Sequence, residues 1–161
     1  MKRIIFIGQA MPRFKRDPHD WPTLNTWLFD IGFTLNDIKA NFVYSALVDY
    51  FPGSHKGGHL VPTEEEIAKE QPRLKKLLNN FNPDIVVTVG KLSAVKCLQK
   101  EIKLLTNIIG KTFTVNPYGL MTDEKLIIPL PHPSGASTWR HKTENKILLQ
   151  KALFIIRKLT I

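Results

Sequence analysis

The segment IIPLPHPSGASTWRH, residues Ile127–His141, runs from an apolar stretch through two prolines into a loop. The apolar beginning predicts a buried strand, and His132 follows it between Pro131 and Pro133. Proline on either side restricts the backbone, so the imidazole is held in a defined direction. An imidazole held near a helix start can stabilise negative charge on a leaving group. The alternative for an isolated His-Pro-Ser is ordinary turn chemistry.

Working outward, strands and helices alternate along the chain. Four apolar, β-branched runs predict strands covered on both faces: Arg3–Gly8, Ala40–Val48, Asp84–Gly90 and Lys125–Leu130. Helical patterns occupy residues 22–33, 62–81, 91–100 and 143–159. This order predicts one domain, residues 1–161, built as a three-layer αβα sandwich around a central four-stranded, mainly parallel sheet.

Ligands of such folds bind beyond the carboxyl ends of the strands. Four segments are therefore expected to meet at one site: Gly8–Pro12, Ser45–Pro52, Gly90–Ser93 and Pro131–Ser137.

In the second predicted helix, Thr63 and Glu66 have the spacing of a capping box. Pro72 is expected to kink or divide that helix.

Composition restricts the partners. The 161 residues include 23 Lys and Arg against 14 Asp and Glu, a net charge of +9, which favours a polyanionic partner. Lysine-rich surfaces also occur on proteins that bind no nucleic acid.

Cys97 is the single cysteine, which excludes an internal disulfide and any site built on several thiolates. We expect Cys97 to be a buried hydrophobe, and the protein to be cytoplasmic and nucleoid-associated, with no membrane partner.

GQAMP (8–12) follows the first predicted strand and HPSGASTWR (132–140) follows the last. Between them lie YSALVDYFPGSHKGGHLVPTEEEI (44–67) and NPDIVVTVGKLSAVKCL (82–98). Taken together, these motifs resemble those of the uracil-DNA glycosylase superfamily, and the two middle segments are similar in order and content to its iron–sulfur-containing branch.

The resemblance implies excision of a damaged base that is flipped out of DNA. His132 then corresponds to the histidine that hydrogen-bonds the base and stabilises the departing anion, and Gln9 lies where the attacking water is oriented. The residues that would bind the base are Gly8, Ala10, Ser45 and one aromatic side chain, Phe14 or Trp21.

The resemblance also implies a DNA-binding surface. Ser134 corresponds to the serine that grips the backbone, and Trp139 or Arg140 would fill the vacated stack. The alternative for Trp139 is a helix-entry residue packed on the core. The remaining expected DNA contacts are Lys91, Ser93, Gly135 and Ser137.

Several positions depart from the family pattern. No carboxylate stands in the first motif, where this chain has Gln9 and Ala10. Asp17 and Asp20 are candidate substitutes, with solvated loop acids as the alternative. Ser45 replaces the usual asparagine. The cluster cysteines are missing, and acidic residues stand near two of their places, Asp49 and Glu70, so neither an iron–sulfur cluster nor another metal or cofactor is expected.

These observations predict a monomeric DNA glycosylase acting on uracil or a related deaminated base. The first alternative is a catalytically weakened or inactive DNA-binding module of the same fold. The second is a different nucleotide- or phosphate-handling enzyme on a similar sheet.

Overall fold

The structure is a computed structural model that describes residues 1–12, 17–55, 58–133 and 138–161. Its main sheet has five strands in the order β2-β1-β5-β7-β6, parallel except for the β6–β7 pair. The strand bounds are β1 Ile4–Ala10, β2 Phe42–Val48, β5 Ile85–Val89, β6 Phe113–Val115 and β7 Lys125–Leu130. A separate two-stranded hairpin consists of β3 Ser54–His55 and β4 Gly58–His59.

The sheet is flanked by helices, which confirms the α/β class. The bounds are α1 Pro22–Asp30, α2 Leu35–Asn41, α3 Glu64–Phe81, α4 Lys91–Leu98 and α5 Thr143–Thr160. Helix α3 packs mainly on β2, α4 on β1 and β5, and α5 on β7. The described part of the chain contains no helix long and apolar enough to cross a membrane.

The structure corrects the expected strand count. Residues Phe113–Val115 add a fifth strand, antiparallel to β7 at the edge of the sheet. Three residues are too short to give a clear periodic signal, so the strand is defined by its partner rather than by its own sequence. Helix α2 was not predicted either, and it leads directly into β2.

Helix α3 shows how packing overrides one local signal. The capping box is confirmed, because the Thr63 side chain accepts from the Glu66 N–H and the Glu66 carboxylate accepts from the Thr63 N–H. Pro72 was expected to kink or divide this helix, and the division is wrong, since one continuous helix passes through that residue. Ile67 lies before the proline and Leu74 after it, and both are buried against the core, which stabilises the two halves together.

Candidate active site

A cleft of about 780 Å³ opens at the carboxyl ends of the central strands. Segments from three strand ends line it, namely Gly8–Pro12, Val89–Leu92 and His132–Pro133. The loop after β2 adds Phe51 and Pro52. The cleft lies within the range of roughly 300–1,000 Å³ of small-molecule sites, and its walls are mainly apolar.

Gly8 and Trp21 form one wall of the cleft. A Cβ atom at Gly8 would lie only 2.9 Å from Cη2 of Trp21, so the indole covers the strand where β1 has no side chain. Trp21 is 9% exposed and packs with its ring centroid 5.6 Å from that of Tyr44. The glycine is therefore required for close approach of the ring. Gln9 and Ala10 follow Gly8 and line the same cleft.

His132 also lines the cleft and lies against the start of α4. A Cβ atom at Gly90 would lie 3.5 Å from His132 Cδ2, which is ordinary contact distance. Gly90 has φ +91° and its N–H donates to Leu130 O at 2.9 Å, so it turns the chain from β5 into the helix beside the imidazole. The helix has no side-chain N-cap. Its positive dipole end therefore lies next to His132, an arrangement suited to a developing anion.

Two expected DNA contacts belong to α4 and differ in accessibility. Lys91 is exposed at the cleft, with Nζ donating to Lys103 O at 2.9 Å. Ser93 is fully buried, and its hydroxyl donates to Ile7 O at 2.6 Å while lying 2.7 Å from the Tyr118 hydroxyl. The expectation that the Ser93 side chain contacts DNA is wrong, because it joins α4 to β1 inside the protein.

Ser45 also departs from its expected role. Its side chain is 2% exposed and its Oγ accepts from Nη1 of Arg73 at 3.2 Å. Arg73 also donates through Nη2 to Ala46 O at 2.7 Å and through Nε to Glu70 Oε1 at 3.3 Å. Ser45 is thus bound to α3 and does not line the cleft, so it is not placed to read a base.

The loop after β2 is held to α3 by two carboxylates one helical turn apart. Glu70 Oε1 accepts from the Asp49 N–H at 2.6 Å, and Glu66 Oε2 accepts from the Tyr50 hydroxyl at 2.6 Å. The Met11 N–H then donates to Tyr50 O at 3.2 Å. Together with Arg73, these contacts form what we term the α3 clamp. It connects the helix to the cleft loops that follow β1 and β2.

The Tyr50–Glu66 bond perturbs both groups. Accepting from the tyrosine hydroxyl lowers the pKa of Glu66, with further contributions from the Thr63 N–H and hydroxyl. The same bond raises the pKa of Tyr50 to about 12. Elsewhere, burial raises the pKa of the Cys97 thiol to about 12, as expected for a buried, unreactive cysteine.

Trp139 does not project as a wedge. It begins a short 3₁₀ turn before α5, its ring packs against the core, and its Nε1 is buried with no hydrogen-bond partner among the described residues. Its carbonyl accepts from Asn145 Nδ2 at 2.7 Å. Trp139 is therefore a helix-entry residue packed on the core, which was the alternative to a wedge. The Arg140 guanidinium lies 5.8 Å from the ring centroid of Trp27, which connects this turn to α1.

Four expected site residues lie outside the described residues, namely Phe14, Ser134, Gly135 and Ser137. Within the described residues, no three His, Cys, Asp or Glu side chains are grouped as a metal site.

Sequence reasoning missed two parts of the site. Leu60 and Val61 line the cleft, although they lie beyond Ser45–Pro52, the segment after β2 that was expected there. The available signal is that Leu60 and Val61 are two consecutive apolar residues in a glycine-rich loop. Arg73 was missed as well. A signal was available, because Glu70 and Arg73 are three residues apart in a predicted helix, a spacing that places an acid and a base on the same helix face.

Comparison with known protein families assigns the chain to a superfamily. The model of the uracil DNA glycosylase superfamily matches residues 2–154, nearly the whole chain. The chain belongs to the uracil-DNA glycosylase superfamily. This superfamily member is similar to the type-4 uracil-DNA glycosylase of Saccharolobus solfataricus, with 26% identity over 140 residues, 83% of this chain. The match spans 61% of the relative's length.

Proposed function

We propose that the protein is a DNA glycosylase that hydrolyses the N-glycosidic bond of uracil or a related deaminated base. The supporting observation is that Gln9 and His132 lie in one cleft beside an uncapped helix start. A flipped base entering this cleft would find apolar walls for its ring faces and few polar groups for its edge. Membership of the superfamily and the net charge of +9 support DNA as the partner.

Each polar group has a distinct task in this proposal. As the glycosidic bond breaks, the bonding electrons stay on the base, and the His132 ring with the α4 dipole stabilises that anion. Gln9 carries an amide that donates and accepts hydrogen bonds, so it orients the attacking water without taking its proton. The oxocarbenium-like sugar is a strong electrophile, so oriented water is an adequate nucleophile.

The test is a single-turnover assay on oligonucleotides carrying one uracil, hypoxanthine or xanthine, in single- and double-stranded form. Alkali cleavage of abasic sites measures the product. His132→Ala is expected to lower the rate ~10²–10³-fold, as for loss of an oxyanion-type donor. The exposed His141, outside the cleft, supplies the control variant His141→Ala, which is expected to keep the wild-type rate. An unchanged rate in His132→Ala would refute the assigned role.

Two observations favour a second candidate, a DNA-binding module with weak or no catalysis. The first motif lacks a carboxylate, and Ser45 is directed to α3 rather than to the cleft. This candidate predicts salt-sensitive binding to the same oligonucleotides and no abasic product.

A further inference from the structure

The cleft contains a carboxylate that the first motif does not supply. Its described lining carries polar side chains of several kinds, from Gln9, Asp20, Thr23, Lys91 and His132. Asp20 is the one carboxylate among these described lining residues. We propose, on the basis of the glycosylase function above, that Asp20 is the catalytic residue that accepts the proton of the attacking water.

The backbone before Asp20 is fixed. The Asp20 N–H donates to Asp17 O at 3.0 Å, which closes a turn, and the His19 N–H donates to Asp17 Oδ1 at 2.8 Å. The His19 ring bonds Phe42 O at 2.7 Å through Nε2, and His19 O accepts from Asn25 Nδ2 at 2.8 Å. The residue before Asp20 is thus anchored both to β2 and to α1.

The residue after Asp20 is fixed as well. Trp21 is buried, and its ring occupies the space over Gly8. Gly8 directly precedes Gln9, so this packing holds the Asp20 loop against the end of β1. A half-buried side chain between two anchored neighbours loses little conformational entropy when it binds a ligand. Asp20 is therefore held in advance at the end of β1, where the cleft opens.

Asp17 provides the contrast within the same loop. Its side chain is 53% exposed, it accepts the His19 N–H, and it does not line the cleft. Of the two acids that the sequence offered as substitutes for the missing carboxylate, only Asp20 lies in the cleft.

The proposed step is hydrolysis of the glycosidic bond by one water molecule. The bond from C1′ to the base nitrogen breaks, and its electron pair leaves with the base toward His132. The water oxygen bonds to C1′ while its proton passes to an oxygen of the Asp20 carboxylate. The products are the abasic sugar, the base anion and protonated Asp20; the anion takes up a proton from solvent, and Asp20 releases its proton to solvent, which restores the carboxylate. Before that transfer, the carboxylate also stabilises the positive charge that develops on the sugar.

The first test compares Asp20→Asn with the matched control Asp17→Asn in single-turnover excision. Loss of general-base assistance predicts a ~10²–10⁴-fold lower rate for Asp20→Asn. Asp17→Asn keeps the Oδ1 acceptor for the His19 N–H and removes only the charge, so it is expected to keep the wild-type rate. Because asparagine preserves the size of the side chain, thermal melting should show both variants folded. Wild-type excision by Asp20→Asn would overturn the role of Asp20 and leave the proposed function intact.

The second test does not depend on turnover. Fluorescence anisotropy measures binding of two abasic-site oligonucleotides, one with a cationic pyrrolidine in place of the sugar and one with neutral tetrahydrofuran. A carboxylate near C1′ predicts that wild type and Asp17→Asn bind the cationic form ~10-fold or more tightly, and that Asp20→Asn loses this preference. A preference unchanged in Asp20→Asn, or absent from wild type, overturns the proposal.

The two tests separate the hypotheses. An Asp20-dependent preference without excision of any base would reject the glycosylase function and retain Asp20 at the sugar site. Excision that is unchanged in Asp20→Asn would reject the role of Asp20 and retain the glycosylase function.

Discussion

Strands β1 and β2 lie side by side and parallel, with Ile7 opposite Ser45, yet their polar residues serve different purposes. Gln9 at the end of β1 lines the cleft. Ser45 in β2 is buried and accepts a hydrogen bond from Arg73 of α3. Gln9 was expected to orient the attacking water and Ser45 to bind the base, and of the two only Gln9 lines the cleft.

The difference shows that the elements packed against a strand, more than the residue type, decide whether a polar side chain of that strand lines the cleft or bonds to a flanking helix. Successive side chains of a strand point to opposite faces, so a polar group reaches either a flanking helix or the site at the strand end. On β2, a cation from α3 binds Ser45 Oγ and Ala46 O. On β1, Gly8 leaves room for Trp21 and Gln9 lies at the cleft.

The largest expected effect comes from removing the cation on the β2 side. Arg73→Met leaves Glu70 without its ionic partner and Ala46 O without its donor. The side chains of Arg73 and Glu70 are 27% and 21% exposed, so we expect a loss of about 3 kcal/mol in the free energy of unfolding, the lower end for a broken buried pair. Urea denaturation measures it. Arg73→Lys should recover part of the loss, and a change below about 0.5 kcal/mol would contradict the role of the α3 clamp.

The second prediction sets β1 directly against β2. Gln9→Ala should lower the single-turnover excision rate ~10- to 100-fold, because the attacking water is no longer oriented. Ser45→Ala should leave that rate unchanged and cost about 1 kcal/mol of stability through its lost hydrogen bond. Single-turnover rates and urea denaturation of the two variants test this prediction. A larger rate loss for Ser45→Ala than for Gln9→Ala would contradict a role for Gln9 in the cleft and for Ser45 in stability.

A third prediction concerns the packing of the Trp21 ring over Gly8 at the end of β1. Gly8→Ala places a Cβ atom 2.9 Å from Trp21 Cη2, and overpacking is expected to cost about 1–2 kcal/mol. Thermal or urea unfolding measures the cost. In the Trp21→Phe background the smaller ring relieves the contact, so the same substitution should cost less. Equal costs in both backgrounds would show that Trp21 does not impose the glycine.

The smallest effect is a pH dependence in the α3 clamp, tested with Tyr50→Phe. Glu66 has a lowered pKa, so its contribution is complete above the ordinary carboxyl pKa and is lost as pH falls through the lowered value. Tyr50 has a pKa raised to about 12, so its contribution is complete below the ordinary tyrosine pKa and is lost as pH rises through about 12. Melting temperatures of wild type and Tyr50→Phe should differ by a constant amount near neutral pH and converge toward both extremes. A constant difference at all pH values would contradict the assignment.

Much of the fold could be predicted from the sequence because its signals are local. The four longer strands have continuous apolar runs, and the Thr63–Glu66 capping box marks the start of α3. The edge strand β6 and the unbroken passage of α3 through Pro72 could not be predicted. Both depend on partners distant in sequence, which outweigh a weak or opposing local preference.

The sequence by itself determined the order of strands and helices, the superfamily resemblance, and the placement of Gln9 and His132 at strand ends. Those properties follow from periodicity and short motifs, which need no knowledge of distant contacts. Only the tertiary structure decided which polar residues face the cleft. It directed Ser45 to α3, buried Ser93 and packed Trp139, and it separated Asp20 from Asp17. The direction of a side chain depends on the elements packed against it, and the sequence does not state which elements those are.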